Sequence, residues 1–167
     1  MISSAHARVD KVILLAKLRR ALEAELAAAE RTARETAEAA NHPEAKPDND
    51  KDTRKIELSY LAAGQAARAR ELEAALVLLT TLPAEPFAAG APIRAGALAT
   101  LEVAEKTQRV LVSPAGGGLK LDDEGGPISV VTPQSPLGRA LLGRTGGDEF
   151  ELSVAGRTSE VVIVRVE

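Results

Sequence analysis

The 167-residue chain has no cysteine and no tryptophan, and its two histidines are His6 and His42. Without a thiol, disulfides, thiolate metal sites and cysteine nucleophiles are excluded. Two histidines leave no histidine-rich metal site. Aromatic residues make up 2% of the chain, namely Tyr60, Phe87 and Phe150, which speaks against modules that stack nucleic-acid bases on rings. An excess of positive charge is also missing. The 21 Lys and Arg stand against 24 Asp and Glu, a net charge of −3, whereas proteins that hold DNA by its phosphates are usually basic. No apolar run approaches the roughly 20 residues that span a bilayer. The opening Met-Ile-Ser-Ser-Ala-His lacks the apolar core of a signal peptide. A cytoplasmic protein with no membrane association is the expectation.

What is present divides into two halves. Up to about residue 83 the chain is dominated by Ala, Leu, Glu and Arg, and Gly64 is its single glycine. The other 12 of the 13 glycines follow, with many valines. The stretch Pro83-Ala-Glu-Pro86-Phe-Ala-Ala-Gly90-Ala-Pro92 separates the halves and reads as a linker, since proline cannot continue a helix. Each half is near the lower size limit for a self-sufficient core.

The first half predicts two helices. Leu15, Leu18, Leu22, Leu26, Ala29, Ala33, Ala37 and Ala40 step by three and four, which is one stripe of an α-helix. Leu58, Ala62, Gln65, Ala69, Leu72, Leu76 and Leu79 form a heptad seam on a second. Between them, residues 41–50 carry Pro43 and Pro47 among turn formers. In an antiparallel hairpin, facing positions sum to a constant. Leu15 with Leu79, Leu18 with Leu76, Leu22 with Leu72 and Ala29 with Gln65 each sum to 94, while Leu26 with Ala69 and Ala37 with Leu58 sum to 95. The fold-back therefore falls at residue 47. Two helices of about 30 residues make an arm roughly 45 Å long, at 1.5 Å per residue. Such an arm buries little surface and is suited to reach.

The second half predicts a small α+β domain. Candidate strands are Leu98–Val103, Arg109–Ser113, Ile128–Val131, Glu149–Val154 and Glu160–Val166, separated by Gly-, Pro- and Asp-rich turns. One short helix interrupts them, with Ser135 as N-cap, Pro136 at its first position, Leu137, Ala140, Leu141 and Leu142 filling it, and Gly143 ending it.

Ser135-Pro-Leu-Gly-Arg-Ala-Leu-Leu-Gly143, followed by Gly147-Asp148 and flanked by Pro-Ile-Ser-Val-Val and Glu-Val-Val-Ile-Val strands, resembles the C-terminal domain of the Gre transcription elongation factors. Their shared pattern is Ser-Pro-[Leu/Ile]-Gly-Arg-Ala-Leu-[Leu/Ile]-Gly. The resemblance covers residues 90–167 in sequence and 8–83 in architecture. It implies an N-terminal antiparallel two-helix coiled-coil hairpin (1–83), a linker (84–92) and a small FKBP-like β-rich domain with one short helix that docks on polymerase (93–167). It also implies a partner, bacterial RNA polymerase. The C-terminal domain would dock near the secondary-channel entrance and the hairpin would enter the channel. Acidic residues at the tip would help hold a catalytic Mg²⁺ and a water, shared with the polymerase and not bound by this chain alone. The polymerase would then cleave backtracked RNA. On this resemblance the chain is a monomeric regulator, not itself an enzyme, and meets nascent RNA only indirectly.

Gre tips resemble Gly-Asp-Leu-x-Glu-Asn-Ala-Glu-Tyr. This one instead reads Glu44-Ala-Lys46-Pro47-Asp48-Asn-Asp50-Lys51-Asp52-Thr-Arg54. Its candidate acids, donated to the polymerase's catalytic site and its Mg²⁺, are Asp48, Asp50 and Asp52. Mg²⁺ takes a few carboxylates together with waters and phosphates, which suits a shared site. The same residues also serve turns and helix N-termini. As a calcium loop the run departs at position six, Thr53, and at position twelve, Ser59.

Ser135, Pro136 and Leu137 are the candidate partner-binding surface, or simply a capped helix start. Arg139 and Arg144 are solvated or meet the polymerase. Tyr60 is expected to pack. Gly116–Gly118 is expected to be a plain turn, since no Gly-Lys-[Ser/Thr] follows. Arg8, Lys11, Lys17, Arg19 and Arg20 read as a solvated face that could meet RNA or an acidic polymerase surface. Four functions follow: a stimulator of RNA cleavage, a channel-occupying inhibitor, a prolyl isomerase or chaperone using Phe150 and Phe87, and an oligomerising coiled coil. The matched stripes speak against the last, because each helix already has a partner within the chain.

Overall fold

A computed structural model describes residues 9–42 and 49–167, the side chains of 49–52 excepted. The elements in order are α1 (Lys11–Asn41), α2 (Asn49–Leu79), β1 (Leu98–Val103), β2 (Lys106–Val112), β3 (Lys120–Leu121), β4 (Ile128–Val131), α3 (Pro136–Leu141), β5 (Glu149–Val154) and β6 (Arg157–Val166). They form two compact units: Arg20–Val77, and the chain up to Arg19 together with Leu78–Glu167. Among the described residues no helix is long and apolar enough to cross a membrane.

Both long helices have 31 residues. Asp10 starts α1: its Oδ1 accepts from the backbone N–H of Val12 at 2.9 Å and of Ile13 at 3.2 Å, which satisfies two of the donors a helix start leaves open. The helix stops two residues before Pro43, and α2 begins two residues after Pro47. After Leu79 the Thr81 hydroxyl donates to the Leu78 carbonyl at 2.7 Å, and Pro83 follows.

Every residue of the two predicted stripes is buried or half-buried. In the unit Arg20–Val77 the seam centres on Leu22, Ala29, Ala69 and Leu72, all buried. Arg68 of α2 pairs with Glu25 of α1 at 3.1 Å, in the register the seam predicts. That pair also settles the direction. Parallel helices joined at this point would require the short connection after Asn41 to span roughly 50 Å, about twice its reach. The helices are therefore antiparallel.

The sheet has six strands in the order β3-β4-β2-β1-β6-β5, with β2 and β4 parallel and the other neighbours antiparallel. One face carries a core of Ile93, Ala97, Ala99, Leu101, Val110, Val112, Leu141, Val161 and Ile163, against which Leu137, Phe87 and Phe150 pack. Three of the five predicted strands have the expected ends. β3 was not predicted, because two residues show no period. β2 and β6 each begin three residues earlier than predicted. Ala104 and Glu105 turn the β1–β2 hairpin at φ 49° and 64°, so a tight turn forms there without the Gly or Asn that normally signals one.

Leu22 and Leu72 are 1% and 2% exposed. Truncating either to Ala is expected to cost about 2–4 kcal/mol, and a double-mutant cycle by urea unfolding is expected to give a coupling of at least about 0.5 kcal/mol. Additive effects would contradict the facing register.

Candidate functional site

The Ser135–Gly143 motif forms a locked helix start. Ser135 lies extended at φ −69°, ψ 153°, and its hydroxyl accepts from Gly138 N–H at 3.0 Å while donating to the Thr132 carbonyl at 2.8 Å. Pro136 occupies the first helical position, where its missing N–H costs nothing. Gly138 is required by close approach: a Cβ there would lie 1.9 Å from the Thr132 carbonyl oxygen. Leu141 is fully buried in the core, while Leu142, expected to fill the helix, caps its end and is 39% exposed.

This start forms one wall of a groove of about 620 Å³, whose apolar lining includes Val130, Val131, Pro136, Leu137 and Val154, with Lys120 also present. Pro136 is exposed and Leu137 half-buried. The three predicted partner-binding residues thus come together, with the Ser135 hydroxyl used up in capping and the apolar Pro136 and Leu137 left at the surface. Among the described residues, no aromatic ring lines this groove.

The predicted tip acids lie at the edge of the described residues. Asp48 lies outside the described residues. Asp50 and Asp52 fall in the first turn of α2, and their side chains lie outside the described residues. Among the described residues, no group of three or more His, Asp and Glu could hold a metal ion.

No protein-family model and no curated protein matches the chain. Solved structures do. The chain is similar to the GreA factor homolog 1 (Gfh1) of Thermus thermophilus at 24% identity, over 92% of this chain and 94% of that one, with a TM-score of 0.38. A second structure, of the transcription factor Gfh1, gives 24% identity over 92% of each chain and a TM-score of 0.39. Thermus aquaticus Gfh1 gives 22% over 90% and 91%, with 0.37. At such scores the likeness carries no functional weight, and function has to be read from this chain's own residues.

Those residues correct several expectations. Lys11 is not part of a solvated face, whereas Lys17 is exposed. Lys11 is buried, its Nζ donating to the Glu85 carbonyl at 2.9 Å and lying 4.6 Å from the centre of the Phe87 ring. Arg94 lies 4.9 Å from the same ring centre, so two cations share one aromatic ring. Lys17 donates to the Asp122 carbonyl. The signal for Lys11 was legible: it stands four residues before Leu15, at the next position of the α1 stripe. Arg8 lies outside the described residues. Arg144 is also engaged, its Nε donating to the Ala140 carbonyl at 2.7 Å and its guanidinium stacking 4.5 Å from the Phe150 ring centre. Arg139 is exposed. Tyr60, expected to pack, is 76% exposed. Gly116–Gly118 is the expected turn, Gly118 N–H donating to the Val130 carbonyl at 2.9 Å.

The loop between β3 and β4 is tied down by a buried cation that sequence reasoning missed. Arg109 bonds the Asp123 carboxylate at 2.7 Å and the Gly126 carbonyl. Burial alone would raise the Asp123 pKa, but the Arg109 hydrogen bond, the Gly125 N–H and the charges of Arg109 and Lys17 outweigh it and hold the carboxyl below its usual value.

Burial, reinforced by the Arg94 charge and opposed by Glu167, lowers the Lys11 pKa from 10.5 to about 8. Between these values the unfolded chain binds more protons than the folded one, so this group's contribution to stability rises with pH through that window. Relative to Lys11→Met, the wild type is expected to gain about 1–3 kcal/mol of unfolding free energy between pH 7 and pH 10. Urea titrations of both proteins at the two pH values check this, and a parallel response would contradict it.

Proposed function

We propose that this chain is a Gre-type factor that binds bacterial RNA polymerase, docking through the β-rich unit and inserting the helical hairpin into the secondary channel to regulate elongation. The observation that carries the reading is the Ser135–Gly143 motif. Its serine, its glycine and Leu141 are consumed in making and seating a helix start, and what that start presents outward is the apolar ring of Pro136 and the part of Leu137 that the core leaves uncovered, beside a groove. A solvated turn has no use for such a surface. The 31-residue antiparallel pair supports the second half of the reading, since an arm of that length contributes reach more than core.

At the tip, Asp48, Asp50 and Asp52 are hard oxygen donors of the kind Mg²⁺ accepts. The three would be donated to a shared ion, and the polymerase's own carboxylates would supply the rest. A bound Mg²⁺ there would activate a water for cleavage of backtracked RNA. The tip also favours a second reading. It has no Glu-Asn-Ala-Glu and carries Lys46 and Lys51 among its acids, so the hairpin would occupy the channel and inhibit. In both readings the chain regulates an enzyme and is not one. The isomerase reading loses support, because Phe87 and Phe150 each lie beneath arginines and do not line the groove.

The deciding assay is RNA cleavage in a halted, backtracked elongation complex, with and without the protein. Asp48→Ala/Asp50→Ala/Asp52→Ala is expected to keep polymerase binding and lose the effect on cleavage. Leu137→Asp is expected to weaken binding at least about tenfold, by setting a charge in a desolvated contact. If the acids only cap, the triple variant loses about 0.5–2 kcal/mol of stability per cap and acts like the wild type. Unchanged affinity in a folded Leu137→Asp variant would remove the docking surface.

A further inference from the structure

The groove beside α3 is apolar within and basic at its rim. Lys120 lines it together with Val131, Pro136, Leu137 and Val154. Arg157 stands directly opposite Val154 in the β5–β6 register, on the same face of the sheet. Arg139 follows Pro136 by three residues in α3, which puts the two on one side of that helix. All three cations are exposed, and among the described residues none of them is in an ion pair. No described aspartate or glutamate lines the groove. The opposite face of the sheet carries the reverse charge. Glu102 and Glu149 each stand opposite Val162, and Glu151 stands opposite Glu160, so four carboxylates share that face across β1, β6 and β5. A chain of net charge −3 therefore gathers unpaired cations round its apolar groove and sets carboxylates on the far side of the same sheet. Such a separation makes a local positive field over the groove, despite the negative total.

We propose that the groove seats a segment of the polymerase in which an apolar side chain is flanked by carboxylates. The inference rests on the docking reading above and adds the chemistry of the partner. The apolar side chain enters among Val131, Leu137 and Val154, and the carboxylates meet Lys120, Arg139 and Arg157 at the rim. The two parts do different work. The dry centre of an interface holds the complex together. Wet rim pairs add little to the equilibrium, but they speed encounter and fix orientation. The cations alone would also suit RNA. The groove offers a base no ring to stack on, however, and an apolar wall is of no use to a phosphate backbone.

Association and dissociation rates with bacterial core RNA polymerase, measured at about 0.05 M and about 0.5 M salt, separate rim from centre. Lys120→Gln/Arg139→Gln/Arg157→Gln changes three exposed positions and is expected to keep the wild-type circular dichroism. At low salt it is expected to associate at least about tenfold more slowly than the wild type, with a dissociation rate within about twofold, and the difference is expected to shrink at high salt. Leu137→Asp, by contrast, is expected to raise the dissociation rate. A carbodiimide joins an amine to a carboxylate without a spacer, so treating the complex is expected to couple Lys120 to an Asp or Glu of a polymerase subunit, and Lys120→Arg to lose that product. A polymerase-binding wild type whose triple variant associates at the wild-type rate at low salt, or whose Lys120 joins no polymerase carboxylate, overturns this inference and leaves the docking reading standing. A wild type that does not bind polymerase overturns both. Single-stranded RNA bound by the wild type and lost by the triple variant would assign the rim to nucleic acid and overturn the acidic partner.

Discussion

The contact on which the rest depends is the apolar seam between the two long helices. A helix in water gains little from its own hydrogen bonds and is held chiefly by the face it buries. Here Leu22 and Leu72 supply bulk while Ala29 and Ala69 allow close approach. Such a seam holds an extended pair in one register without a globular core. It also divides the surface of α2 in two, with one stripe spent on α1 and a second left outward with Ile56 and Tyr60 on it.

The β-rich unit solves a different problem. Its sheet is covered on one face by α3, and the start of that helix is over-determined by one hydroxyl that both donates and accepts and by one glycine whose Cβ would strike the Thr132 carbonyl. Rigidity there lets Pro136 and Leu137 present a fixed apolar surface. Anchored cations, two of them buried, add to the order of the unit. Arg109 fastens the β3–β4 loop, Lys17 reaches the same loop from α1, and Lys11 inserts between the Phe87 ring and the Glu85 carbonyl. The two buried ones, Arg109 and Lys11, each meet an acceptor, which is the condition for holding a cation away from water.

Much of this was legible in the residues. Positions that sum to 94 anticipated the antiparallel pairing because hairpin register is an arithmetic property of a periodic pattern. Ser135, Pro136 and Gly143 marked α3 because caps act through one residue's own chemistry. The misses share a cause. Ala104 and Glu105 turn a hairpin with left-handed backbone angles that neither residue advertises, β3 is too short for a period, and Tyr60 resembles a core residue until its side of the helix is known. Ser135, Pro136 and Leu137 could be named from the motif, but their division of labour, with the serine turned inward and the proline outward, could not.

The sequence by itself determined the two halves, the helical register, the short capped helix and the absence of thiol chemistry, since each follows from local spacing or from composition. Only the tertiary structure decided that Lys11 is an internal fastener and not part of a solvated patch, that Lys17 reaches the Asp122 carbonyl, that Arg144 stacks on Phe150, and that α2 keeps an uncovered apolar side. Those outcomes depend on which distant residues arrive beside each side chain. A lysine carries the same charge wherever it stands, and whether that charge meets water, a carbonyl or a ring is settled by the fold around it.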